Sequence, residues 1–143
     1  MTTAEIIAEL HQLTIRSAED YTQLDRLDEL TNLLPQNPDG QLACEALLGV
    51  LERHPQIEFG APGQLVHTLE NYRGQYEKLL LVSLARRPTA TTIWMLNRII
   101  NATAGAERQR LIGIMHAVGK HPLADEQTKT AADEFARFQS QRI

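Results

Sequence analysis

Apolar residues recur along this chain at the three- and four-residue spacing of amphipathic helices, and no segment alternates strictly as a half-buried strand would. Ile6, Ile7, Leu10 and Leu13 predict a short helix over 4–13. Leu24, Leu27, Leu30 and Leu34 predict a second, with Asp25, Asp28, Glu29 and Asn32 turned outward and Pro35 as its stop. Ser17 stands before Ala18, Glu19 and Asp20, which suits an N-cap followed by an acidic first turn. After the loop PQNPDG (35–40), Leu42, Ala43, Ala46, Leu47, Val50 and Leu51 give a third helix a broad inner face.

That third helix ends at Arg53-His54-Pro55, and the ending recurs as Arg86-Arg87-Pro88 and Lys120-His121-Pro122, at spacings of 33 and 34 residues. Proline disfavours a helical residue before it, and basic side chains suit a helix C-terminus. A period of this length is that of a helix-turn-helix unit in stacked α repeats, although no tetratricopeptide or ankyrin consensus lies within the units. The first unit holds FGAPG (59–63) as an inter-helix corner, with Pro62 in the first turn of a short helix to Tyr72, then a leucine-rich helix over 75–87. The second holds a helix over 92–101, a turn near Gly105, and a helix over 107–120 carrying Leu111, Ile114, Met115 and Val118. A last helix, 125–139, buries Ala132, Phe135 and Phe138. The expected fold is all-α: one domain, 1–143, a compact stack of six to seven helices arranged as consecutive α-hairpins in a HEAT/TPR-like helical array.

The helix over 92–101 is the most informative segment. At about 100° per residue, Ile93, Met95, Leu96, Ile99 and Ile100 sweep almost half its circumference, while Trp94, Asn97, Arg98 and Asn101 share one polar wedge. The asparagines read as structural, bonding the backbone of the FGAPG corner, with Arg98 pairing an acid such as Glu70. For Trp94 and Arg98 two readings stand: a brace between hairpins, or an interface anchor of the residue types enriched at hot spots.

Charge adds an asymmetry. The net charge is −4, yet residues 1–80 carry −8 and residues 81–143 carry +4. An acidic half argues against general nucleic-acid binding; it suits steering of a basic protein partner, and equally it is what ordinary solvated helix faces give. The N-terminus lacks the form of a secretory signal, and no apolar run has the length of a membrane span, so the expectation is a cytoplasmic protein with no membrane partner. The lone Cys44, with Ala43, Leu47, Leu48 and Leu51 nearby, reads as a small core residue.

Candidate chemistry is sparse. His67 and Glu70, three residues apart on a short helix, offer the only acid-base or metal-ligand pair, and no zinc motif completes it. His54 and His121 sit at helix ends where turn roles explain them. FGAPG lacks the P-loop lysine, and no nucleophile elbow is present. No cofactor is expected.

The succession FGAPGQLVHTLE (59–70), then Tyr76, then RRPTATTIWMLNRIIN (86–101), resembles small bacterial immunity proteins of polymorphic toxin and contact-dependent growth inhibition systems. The resemblance covers about a third of the chain, on Phe59, Gly60, Pro62, Gly63, His67, Glu70, Tyr76, Trp94, Asn97, Arg98 and Asn101. It implies a helical, non-catalytic protein that binds and neutralises the C-terminal toxin domain of a cognate effector, often a nuclease. Partner-binding candidates are then Asp25, Asp28 and Glu29, the densest acidic patch, with His67, Glu70, Trp94 and Arg98. A helical-repeat adaptor for an endogenous protein or peptide is the competing class.

Overall fold

The computed structural model describes residues 1–60 and 63–142. Pro62, read above as a first-turn proline, lies outside the described residues. Among those residues the fold is all-α, with eight α-helices and no strand. They are α1 (Thr3–Gln12), α2 (Tyr21–Leu33), α3 (Cys44–Arg53), α4 (Gln64–Glu70), α5 (Tyr76–Arg86), α6 (Ala90–Asn101), α7 (Gly105–Val118) and α8 (Glu126–Gln141), with two short 3₁₀ turns, Leu34–Gln36 and Gly40–Ala43, ahead of α3. The chain forms two compact units, Met1–Leu79 and Leu80–Ile143.

In the first unit α1 packs on α3, and α2 on α4. Ile6, Leu10, Leu30, Leu34, Leu47, Leu48, Leu51, Leu65 and Leu69 are fully buried there. Each such side chain contributes roughly 1.5–3 kcal/mol relative to exposure. Thr2 and Glu5 close a reciprocal capping box at the start of α1, which draws the Glu5 carboxyl below its ordinary range through its bonds to Thr2. Cys44 is fully buried, and burial pushes its thiol up to about 11, the mark of an inert core residue.

Arg53 and His54 tie the end of α3 to the end of α1. An Arg53 guanidinium nitrogen donates to the carbonyls of Leu10 (2.8 Å) and Leu13 (3.3 Å) at the C-terminal end of α1, joining the Leu13 N–H on the Leu10 carbonyl. The buried His54 ring lies 2.7 Å from the Val50 carbonyl through Nδ1 and accepts from the Ile15 N–H through Nε2 at 3.0 Å. A carbonyl only accepts and an N–H only donates, so the ring is the neutral tautomer with its proton on Nδ1. His54→Phe keeps an aromatic ring, a somewhat larger one, and removes both bonds. Its expected cost is about 2 kcal/mol, seen as a lower urea midpoint at unchanged m-value.

The second unit repeats the device with the other tautomer. His121 Nε2 donates to the Ala85 carbonyl at 2.8 Å, while Nδ1 accepts from the Leu123 N–H at 3.0 Å. The periodicity is imperfect at this third ending. The helices α3 and α5 stop two residues before Pro55 and Pro88, but α7 stops at Val118, four before Pro122, with Gly119 as its C-cap.

Within the second unit α6, α7 and α8 all pack on one another. Thr89 and Thr92 form a buried capping box that opens α6 two residues earlier than the apolar pattern alone suggests. Asp125 caps α8 by accepting from the Thr128 N–H at 2.8 Å.

Several expectations are corrected. Ser17 does not cap α2. Its hydroxyl accepts from the Glu19 N–H, and Asp20 accepts from the Arg16 N–H, so 16–20 forms a side-chain-stabilised turn and α2 begins at Tyr21. Leu42 is 62 % exposed, because it lies on a 3₁₀ turn whose tighter winding rotates it away from the face of α3. Phe138 is also exposed, with the Arg142 guanidinium 5.5 Å above its ring.

Candidate functional site

The outer surface of α2 is built from its register. With Leu27, Leu30 and Leu34 buried, the opposite side presents Tyr21, Asp25, Asp28 and Asn32, at offsets of four, seven and eleven residues, in one exposed stripe. Glu29 flanks it. Tyr21, 65 % exposed, is the member the acidic pattern did not single out, although its helical spacing to the two aspartates is legible in the sequence.

Arg26 divides these carboxylates into two kinds. It makes a bidentate pair with Glu9 of α1 (2.6 and 2.8 Å) and reaches Glu29 at 2.8 Å. The Glu9 carboxyl is consequently held below its ordinary range, chiefly by the Arg26 hydrogen bonds. Glu29 therefore belongs partly to an internal ion-pair cluster. Among the described residues no cation pairs with Asp25 or Asp28. The Asp28 carboxyl is pushed above its ordinary range, first by partial burial and then by repulsion from Asp25.

On α4, His67 is exposed and Glu70 half-buried. Among the described residues no group of three or more metal-ligating side chains forms. The corner before α4 depends on glycine: Gly60 has φ of +93°, and a Cβ at Gly63 would fall on the Phe59 backbone. The resemblance residues Gly60 and Gly63 thus serve the turn, and Tyr76 and Asn97 are buried.

Trp94 and Arg98 are brought together one turn apart on α6, both half-buried, with the guanidinium 5.0 Å from the indole centroid. The two asparagines of the same wedge have a partner other than the expected corner. Gln139 of α8, 1 % exposed, donates from its amide nitrogen to Asn97 Oδ1 and Asn101 Oδ1, each at 2.7 Å. Arg108 of α7 donates to Gln139 Oε1 (2.7 Å), and Arg142 donates to Asn101 Oδ1 (2.9 Å). Arginines can only donate, so these two contacts fix which way the Gln139 and Asn101 amides face.

No family model, curated protein or solved structure matches the chain. Among the described residues no helix is long and apolar enough to cross a membrane.

Proposed function

We propose that this chain is an immunity protein, which binds and neutralises the C-terminal toxin domain of a cognate polymorphic or contact-dependent inhibition effector. The toxin domain is basic, a nuclease whose substrate cleft the protein occludes without catalysis of its own. One observation supports this most: the exposed stripe of α2, where Tyr21 stands in line with two aspartates that no cation of the described residues neutralises. A surface active in nucleic-acid binding carries arginine to meet phosphate, so a protein that blocks it presents carboxylates in the same role. Tyrosine supplies rigid contact area at low entropic cost. The FGAPGQLVHTLE and WMLNRIIN resemblance points the same way, through residues that serve the fold more than the contact.

The test is co-expression with the toxin domain encoded immediately upstream of this gene. Cells producing both are expected to grow, and cells producing the toxin domain alone to die. Equal killing in the two cultures sinks the reading. An absent toxin gene, with a bound endogenous peptide or protein in its place, would make the chain a helical-repeat adaptor.

A further inference from the structure

The second unit carries an open groove of about 560 Å³ between the start of α7 and the end of α8, within the size range of small-molecule sites. Arg108 and Arg142 both line it, with Gly105, Gln109, Ile112 and Ser140. These two arginines keep different company from the ion-paired ones. Arg26, Arg110 and Arg137 are bound to carboxylates. Arg108 is held by the carbonyl and side-chain oxygens of Gln139, and Arg142 by the Asn101 amide oxygen and the Phe138 ring. Neutral oxygens orient both guanidiniums without cancelling their charge. Among the described residues no acidic side chain lines the groove; the nearest in sequence, Glu107, is bonded to Arg110.

We propose that this groove binds a small oxyanion, a phosphate ester or a carboxylate, between the Arg108 and Arg142 guanidiniums. Two pre-positioned guanidiniums give planar, charge-assisted recognition of such a group. Nothing on the Ala104 side chain caps the start of α7, so the amides of its first turn add donors to the same groove. The inference is independent of the neutralisation reading, which rests on α2 in the other unit.

Titration of the full chain with inorganic phosphate, and separately with citrate, at constant ionic strength with chloride as control, tests it by amide NMR. Saturable shifts are expected at residues 105–109, and whichever titrant saturates names the source of the oxyanion. Arg142→Gln is expected to weaken the interaction by about tenfold or more, with helix content unchanged, and Arg142→Lys to restore part of it. Because Arg108 also braces Gln139, the lysine and glutamine variants at 142 carry the comparison. Shifts that chloride reproduces, that fail to saturate with either titrant, or that survive Arg142→Gln undiminished would overturn the proposal.

Discussion

Replacing Asp25, Asp28 and Glu29 together by lysine is expected to abolish neutralisation, weakening the complex with the toxin domain by at least about a hundredfold. The net charge moves from −4 to +2, and attraction across the interface becomes repulsion. Lysine is as good a helix former as the residues it replaces, and all three positions are exposed, so circular dichroism and thermal midpoint should barely change. Arg26 keeps its bidentate partner Glu9, which preserves the α1–α2 contact. Single reversals separate the contributions: Asp25 and Asp28 should matter more than Glu29, whose charge Arg26 already meets. Undiminished binding in the triple variant would remove α2 from the interface.

If the α2 stripe is the contact surface, binding has a pH dependence of known sign. In the free protein the Asp28 carboxyl sits above its ordinary range, so its ionised form destabilises the fold, and the protein gains stability from this group as pH falls. A cation docked against Asp28 lowers that pKa again. Binding therefore releases a proton as pH falls toward the raised Asp28 pKa, and affinity falls as pH drops through it. Calorimetry in buffers of different ionisation enthalpy reads the proton directly.

Gln139→Leu should cost about 3 kcal/mol, a large share of a stability that for a chain of this size is typically about 5–15 kcal/mol. Leucine matches the volume and leaves no cavity, so the loss isolates the polar contacts. Asn97 Oδ1 is left buried without its donor, Asn101 Oδ1 keeps only Arg142, and Arg108 loses its shortest acceptor. The measurement is urea unfolding, with hydrogen exchange to place the damage. Protection should fall first in α8, whose packing on α6 and α7 the amide organises. A variant as stable as the parent would show that the network contributes specificity without net stability.

The helical nature of the chain and most helix ends were legible, because periodicity, prolines and caps act locally. Leu27, Leu30, Leu47, Leu51, Ile93 and Leu96 are buried as their spacing predicts, and Cys44 is the core residue its neighbours suggest. What escaped depends on competition or distance. The Ser17–Asp20 turn looks like a helix start, yet its side chains bond the backbone in the non-helical form. Leu42 fits a helical wheel that a 3₁₀ turn does not follow. The partner of Asn97 lies 42 residues along the chain, and no local rule links the two. Of the surface candidates, the α2 carboxylates were visible as a run, and Trp94 with Arg98 as a one-turn pair. The separation of Glu29 from Asp25 and Asp28 needed the position of Arg26 between two helices.

The two units also differ in what holds their helices, and this bears on how each can drift over evolutionary time. In the first unit, Arg53 and His54 grip α1 through main-chain carbonyls and an N–H, groups that every substitution at Leu10, Leu13 or Ile15 other than proline leaves in place. Leu10, Leu13 and Ile15 can therefore change one at a time without losing these bonds, whereas Glu9 of the same helix is tied by its side chain to Arg26. In the second unit the clasp is made of side chains alone at Asn97, Asn101 and the Gln139 amide, so a change in one strands the others. Those positions can change only in concert.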